Sequence, residues 1–302
     1  MKAATLPAET ETSVQARRSM AALVTDLVKA RLTFLVLVTT LVGFCMGVDH
    51  GPVDYWLLLF CMLGTALSAG GAAALNQVIE READAKMHRT RTRPVPTGEM
   101  TASTATIIGI AASVLGVALL WIKVNPLAAW ASIGTIISYV LIYTPLKKIS
   151  SLNTLVGAIP GALPPVIGYA ASAGRLDQVA VVLFLILFFW QLPHFLAISW
   201  VYREDYLQGG FVMISARDAS GRETAWKAIA YTILLIASTV LPYFLGINNL
   251  IWLIGSTVLG LGFLYCAVRF LIERNAGAAR RLFYASIIYL PILLGLLVFT
   301  RS

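Results

Sequence analysis

Nine long apolar runs, none with a charged residue well inside it, constrain this chain more than any other feature of its sequence. A helical run of about 20 such residues matches the apolar thickness of a lipid bilayer. These runs predict an all-α, polytopic membrane protein whose nine transmembrane helices form one bundle. We place them at about 32–48, 55–78, 103–122, 126–145, 154–172, 178–201, 225–245, 250–270 and 281–299.

The composition excludes a water-soluble enzyme. Hydrophobic residues make up 58% of the 302 positions, charged residues only 13%, and the mean hydropathy is +0.79. A typical soluble domain has about 25% charged residues, so this chain lacks the polar side chains to cover a soluble globule. Nine spans leave no room for a second large domain. We therefore divide the chain into an N-terminal cytoplasmic segment, 1–30, and a single transmembrane domain, 31–302.

The charges of the loops predict the orientation. With the N-terminus in the cytoplasm, 20 of the 23 Lys and Arg residues fall on the cytoplasmic side, and only Lys123, Arg175 and Arg301 fall on the other. This asymmetry follows the positive-inside rule, which also explains the net charge of +8 without nucleic acid as a partner. The first 30 residues lack the apolar segment of a cleaved signal peptide. We expect a multi-pass protein of the bacterial inner membrane, in contact with the lipid bilayer.

Polar residues at the end of the second run form the first candidate site. If the helix continues past residue 78, Asn76, Glu80 and Asp84 recur every four residues and lie on one face. Carboxylates at this spacing repel each other unless a cation lies between them, and Mg²⁺ binds oxygen ligands together with substrate phosphates. Arg89 and Arg93 follow, and guanidinium groups suit phosphate oxygens. The alternative is a solvated helix end, although the amide of Asn76 lies a full turn inside the apolar boundary.

A second acidic loop follows the sixth run and contains the same kinds of residue. Arg203, Glu204 and Asp205 are consecutive there. Because the second and sixth runs cross the membrane in the same direction, both loops lie on one membrane face. Two acidic clusters that face one another would hold two cations on one diphosphate. Lys147, after the fourth run, fits a phosphate ligand and a topology anchor equally well.

His194 lies about 10 Å inside the cytoplasmic end of the sixth run. An ionisable residue within a membrane is a functional candidate, and imidazole serves as a haem iron ligand or a proton-transfer group. The alternative is a neutral histidine that bonds a backbone carbonyl freed by Pro193. Proline and glycine residues between 157 and 165 predict a kinked or broken fifth helix that lines a cavity.

Together these segments resemble the UbiA superfamily of intramembrane prenyltransferases. The mark of the superfamily is an Asn-x3-Asp-x3-Asp run followed by Arg-Thr and Arg-Pro, which reads here as Asn76, Glu80, Asp84, Arg89-Thr90 and Arg93-Pro94. The segments 161–168, 190–194 and 203–206 resemble the branch that farnesylates haem. Two positions depart from the superfamily pattern. Glu80 replaces an Asp, and Gly209 stands where the second acidic run has its last Asp.

The resemblance implies that a farnesyl group passes from farnesyl diphosphate to a vinyl group of haem b, with both molecules as substrates and Mg²⁺ as the cofactor. It assigns the polar residues to three roles. These are Mg²⁺ ligands (Asn76, Glu80, Asp84 and Asp205), diphosphate ligands (Arg89, Arg93, Lys147 and Arg203) and a haem ligand (His194).

Two other functions stay open at this stage. One is a prenyltransferase of the same superfamily that acts on a quinone precursor or a chlorophyll-type ring. The other is a transporter of an anionic lipid-linked molecule, which the lack of a charge relay across the membrane disfavours. A homo-oligomer, and a link to haem A synthase or cytochrome oxidase assembly, also stay open.

Overall fold

The computed structural model describes residues 18–48 and 51–302, so residues 1–17 of the predicted N-terminal segment lie outside it. The described residues contain thirteen α-helices and one π-helical segment, Ile137–Tyr143. The α-helices are α1 (Met20–Leu27), α2 (Ala30–Gly47), α3 (Tyr55–Asp84), α4 (Ala102–Lys123), α5 (Pro126–Ile136), α6 (Thr144–Leu146), α7 (Asn153–Ala173), α8 (Gln178–Val201), α9 (Arg203–Gln208), α10 (Ile214–Arg217), α11 (Arg222–Phe244), α12 (Leu250–Glu273) and α13 (Ala276–Phe299).

The predicted all-α fold is confirmed, because nine helical stretches of the described chain are long and apolar enough to cross a membrane. The fourth stretch consists of α5, the π-helical segment and α6 in direct succession. The helix α3 continues to Asp84, so the condition for a polar stripe is met. The helix α13 begins at Ala276, earlier than predicted, because its first turns contain Arg280 and Arg281 and give no apolar signal.

Glycine residues allow α2 to lie directly against α7. A Cβ atom at Gly168 of α7 would lie 1.9 Å from the carbonyl oxygen of Thr40, and one at Gly43 of α2 would lie 1.8 Å from that of Pro165. Helices in a bilayer associate largely through such close packing, because lipid tails are as apolar as the helix surfaces. These glycines therefore serve packing within the chain.

Replacing Gly168 by alanine is expected to destabilise the bundle by about 1–3 kcal/mol, because the new methyl group meets backbone atoms that cannot rotate away. The matched control is Gly262→Ala in α12, where a Cβ atom meets nothing within 4 Å. That change removes a helix-disfavouring glycine and is expected to be neutral or to stabilise by about 0.5–1 kcal/mol. Denaturation by SDS in mixed micelles measures both, and equal midpoints for the two variants would contradict the close approach.

The helix α7 is continuous from Asn153 to Ala173 although Pro160, Pro164 and Pro165 lie inside it. The predicted break is therefore absent from this helix. Proline is tolerated within a membrane helix where neighbouring helices supply the lost contacts, and α7 packs against α2, α5 and α8. The amide group of Gln191 in α8 donates to the carbonyl of Ala158 at 3.4 Å, and Gly161 leaves the space for that side chain.

Candidate active site

Three polar side chains of α3 form a buried stripe at one end of the bundle. Asn76 and Asp84 are 0% exposed, and Glu80 is 4% exposed. Their spacing of four residues places them on one face of the helix, as the sequence predicts. Two buried carboxylates are costly unless cations or hydrogen-bond donors face them, so their partners define the site.

Two basic side chains from different loops pair with these carboxylates. The Nζ atom of Lys147 lies 2.7 Å from Glu80 Oε1, and the Nη1 atom of Arg93 lies 2.5 Å from Asp84 Oδ2. The loop after α6 is itself held in place, because the backbone N–H of Val212 donates to the carbonyl of Lys147 at 2.7 Å. The structure thus brings together five of the nine predicted site residues: Asn76, Glu80, Asp84, Arg93 and Lys147.

A third basic residue, Lys29, joins the stripe. It precedes α2 in the left-handed conformation (φ +50°), which is strained for a residue other than glycine. Its ammonium group donates to Asn76 Oδ1 at 2.6 Å and to the Tyr139 hydroxyl at 3.3 Å. Burial, together with repulsion from Arg93, lowers the pKa of Lys29 to about 7. We call these six residues the polar cluster: Lys29, Asn76, Glu80, Asp84, Arg93 and Lys147.

The π-helical segment positions one wall of the polar cluster. Its wider turn lets the hydroxyl of Thr144 donate to the carbonyl of Tyr139 at 2.7 Å, and the Asn76 amide donates to Thr144 Oγ1 at 3.0 Å. The rings of Tyr139 and Tyr143 stack at 5.8 Å, and Lys147 Nζ lies 4.5 Å from the centre of the Tyr143 ring. Single π-helical turns occur frequently at functional sites.

Among the described residues, one carboxylate oxygen of the polar cluster has neither a hydrogen-bond partner nor an ion-pair partner. Asp84 Oδ1 is buried and accepts no hydrogen bond from any described residue, while Oδ2 binds Arg93. Within residues 18–48 and 51–302, no three acidic, histidine or cysteine side chains group closely enough to hold a metal ion. The polar cluster therefore offers oxygen ligands that need a further ligand, such as a phosphate, to complete a metal's coordination.

The second predicted loop lies against the first. Asp205 Oδ2 accepts from the backbone N–H of Arg89 at 3.3 Å, and the Arg89 guanidinium lies 5.7 Å and 5.8 Å from the ring centres of Tyr202 and Tyr206. A Cβ atom at Gly209 would lie 2.9 Å from the sulfur of Met87. The glycine that departs from the superfamily pattern thus permits close contact between the two loops.

The contacts described for two predicted residues, Arg203 and His194, are with residues outside the polar cluster. The Arg203 guanidinium stacks over the ring of Trp200 at 4.8 Å. His194 faces α13, where its Nδ1 atom lies 2.7 Å from the Ser286 hydroxyl. The predicted alternative for His194, a bond to a backbone carbonyl freed by Pro193, is not what the structure shows.

Lys29, Tyr139 and Thr144 also belong to this site, although they are not predicted from the sequence. Lys29 counted only as a topology charge, since its left-handed turn leaves no mark in the local sequence. Tyr139 precedes Tyr143 by four residues, a spacing that places both on one helix face and could have indicated a shared wall.

Comparisons with known proteins agree with this fold. The profile of the UbiA prenyltransferase family matches residues 36–290. A relative from Solibacter usitatus, named protoheme IX farnesyltransferase, is 43% identical over 284 residues, which cover 91% of this chain and 97% of the relative.

Two solved structures share the fold at low sequence identity. One concerns digeranylgeranylglyceryl phosphate synthase in membranes; it has a TM-score of 0.78 at 17% identity and covers 93% of this chain and 98% of its own. The other is a UbiA homolog from Archaeoglobus fulgidus bound to DMAPP and Mg²⁺, with a TM-score of 0.68 at 15% identity, covering 91% and 98%. The chain belongs to the UbiA prenyltransferase family.

Proposed function

We propose that this chain transfers the farnesyl group of farnesyl diphosphate to a vinyl group of haem b within the membrane. The observation that carries the proposal is the polar cluster, which combines cations that suit a diphosphate with oxygen ligands that suit a divalent cation. The polar cluster lies at one end of an apolar helix bundle. A farnesyl chain and a porphyrin both partition into the apolar membrane around this bundle. The name of the Solibacter usitatus relative supports haem as the acceptor.

The residues of the polar cluster fit Mg²⁺. Asn76, Glu80 and Asp84 each have a side-chain oxygen that suits this ion, and Asp84 Oδ1 is buried without a partner among the described residues. We infer that these residues hold the ion, with Asp205 as a further ligand, and the Archaeoglobus fulgidus homolog bound to Mg²⁺ supports this inference. When bound, the ion supplies positive charge to the departing diphosphate.

The basic residues bind and neutralise the diphosphate oxygens. The polar cluster contains three basic residues, Lys29, Arg93 and Lys147, so a diphosphate has several nitrogen donors available there. In the free protein Arg93 pairs with Asp84, and Lys147 pairs with Glu80. We infer that diphosphate binding exchanges these partners, and that Arg89 and Arg203 assist from the loops.

The apolar bundle protects the reactive carbon. As the C–O bond of farnesyl diphosphate breaks, positive charge develops on the allylic carbon, and a new C–C bond forms to the terminal carbon of the haem vinyl group. Water then adds to the inner vinyl carbon and loses a proton, which gives the hydroxyethylfarnesyl side chain. We infer that Tyr143 and Trp190 line the wall that excludes other water from this centre.

The orientation follows from the positive-inside rule. We propose that the polar cluster faces the cytoplasm across a bacterial inner membrane, with the N-terminus on the same side. The support is the distribution of the loop charges, which places 20 of 23 basic residues on that side.

Reconstitution tests the proposed reaction. Purified chain in lipid vesicles, given haem b, farnesyl diphosphate and Mg²⁺, is expected to add the mass of farnesyl plus water to haem, as read by mass spectrometry. Chelation by EDTA is expected to stop the reaction, and added Mg²⁺ to restore it. Prenylation of a phenolic acceptor without any haem product would contradict haem as the substrate. No reaction with either acceptor would favour a transporter.

A further inference from the structure

The side chain of His194 contacts aromatic rings of both α8 and α13. Its ring stacks on that of Trp190, at 5.1 Å and 26°, and is tilted by 33° against that of Phe283, at 4.9 Å. The indole N–H of Trp190 donates to the carbonyl of Ser286 at 2.9 Å, which fixes the outer ring of the stack. The imidazole therefore has one orientation, and its Nδ1 atom meets the hydroxyl of Ser286 at 2.7 Å.

The hydroxyl of Ser286 decides which ring nitrogen of His194 has the proton. Ser286 is 0% exposed, and its Oγ atom lies 2.5 Å from the carbonyl oxygen of Phe283. Two oxygen atoms at this distance need a proton between them, and the carbonyl has none to give. A hydroxyl has one proton and two lone pairs, so Ser286 donates to Phe283 and can only accept from His194.

The consequence is a fixed tautomer. Since Ser286 Oγ accepts a hydrogen bond from His194 Nδ1, Nδ1 has the proton and Nε2 has a lone pair. Among the described residues Nε2 has no hydrogen-bond partner, and His194 is only partly buried. A second partner that holds the Nδ1 proton is the usual arrangement around a histidine that ligates a metal through Nε2.

We propose that Ser286 is a positioning residue, which holds His194 in the Nδ1–H tautomer so that Nε2 ligates the iron of the haem substrate. The inference rests on the proposed function, because it assumes that haem b is the acceptor. Ser286 touches neither substrate; it acts through the imidazole, as a hydrogen-bond acceptor that raises the basicity of Nε2.

Haem binding without turnover tests the role of Ser286. The full chain in lipid nanodiscs is titrated with ferrous haem b in the absence of farnesyl diphosphate, and resonance Raman spectroscopy records the iron–imidazole stretching band. Ser286→Ala is expected to weaken haem binding by about 10- to 100-fold and to shift this band to lower frequency. Ser286→Thr keeps a hydroxyl and is expected to retain the wild-type band.

Two controls separate positioning from packing. Ser256→Ala removes another fully buried serine hydroxyl, one that bonds only a carbonyl of its own helix, and should change neither the affinity nor the band. His194→Ala should abolish the band, and adding Ser286→Ala to it should weaken binding no further. If Ser286→Ala does not fold, Ser286→Cys, whose sulfur is a weaker acceptor, should shift the band in the same direction.

The outcomes distinguish this inference from the proposed function. A wild-type band in Ser286→Ala, with unchanged affinity, would overturn the role of Ser286 and leave haem farnesylation intact. A wild-type protein that farnesylates haem but shows no iron–imidazole band would overturn the ligation by His194 and the inference with it. A wild-type protein that neither binds nor farnesylates haem would overturn the proposed function itself.

Discussion

Replacing Asp84 by asparagine is expected to lower the turnover number by on the order of 10²–10³, which is typical when one electrostatic group that stabilises a transition state is removed. Asparagine keeps the size of the side chain but loses the negative charge that pairs with Arg93 and that we propose as a metal ligand. Because Asp84 Oδ1 is buried without a partner, its contribution is reserved for the bound state. Steady-state kinetics at increasing Mg²⁺ concentration measures the effect.

The matched control for this variant is Glu82→Gln on the same helix. The side chain of Glu82 is 75% exposed and lies 3.4 Å from Arg81. The substitution therefore removes a negative charge near the polar cluster without changing any residue of the polar cluster. We expect its turnover to stay within about twofold of wild type, as an exposed ion pair contributes little. An equal loss in both variants would mean that the overall negative charge at this end of α3, and not a ligand at Asp84, governs catalysis.

Most of the fold follows from the sequence because a bilayer permits few structures. Unpaired backbone groups are so costly in lipid that an apolar run of sufficient length must be helical, and the nine runs are confirmed. Helix ends are harder to predict. The charged turns at Arg280 and Arg281 gave no hydropathy signal, although Asn275 caps α13 by accepting from the backbone N–H of Ala278.

The site also contains features that the sequence predicts and features that it does not. The first depend on local spacing, and the second depend on contacts between distant segments. The stripe of Asn76, Glu80 and Asp84 needs only the period of one helix, so the sequence predicts it. The pairing of Lys147 with Glu80 joins the loop after α6 to the helix α3, and no local pattern specifies it. The position of Lys29 is harder still to predict from the sequence. It depends on Gln77, whose amide donates to the carbonyls of Asp26 and Leu27 just before the left-handed turn at Lys29.

The contact of His194 illustrates the same limit. The sequence indicates a functional histidine inside a span, but Ser286 lies 92 residues further along the chain. Only the packing of α8 against α13 brings the two together. The structure therefore adds what no pattern contains, which is the identity of the residue that fixes the tautomer.

The buried ion pair between Lys147 and Glu80 is expected to contribute strongly to stability. Lys147→Met alone leaves the carboxylate of Glu80 buried and unpaired, which is expected to destabilise the protein by about 3–5 kcal/mol. The control is Lys227→Met, since Lys227 lies 2.6 Å from Glu223 in an exposed pair along α11. That exposed pair is expected to contribute about 0.5 kcal/mol. SDS denaturation in mixed micelles compares the two variants with wild type.

The double variant Lys147→Met, Glu80→Met separates stability from catalysis. Replacing both partners by apolar side chains of similar volume removes the uncompensated charge, so most of the lost stability is expected to return. Turnover is not expected to return, because the change removes both the proposed diphosphate ligand Lys147 and the proposed metal ligand Glu80. Together with wild type and the single variants Lys147→Met and Glu80→Met, the double variant completes a double-mutant cycle. The interaction energy between the two residues should be large for unfolding, while the activity of the double variant stays at the level of the single variants. Recovery of turnover together with stability would show that the pair serves only the fold, and would remove both residues from the catalytic site.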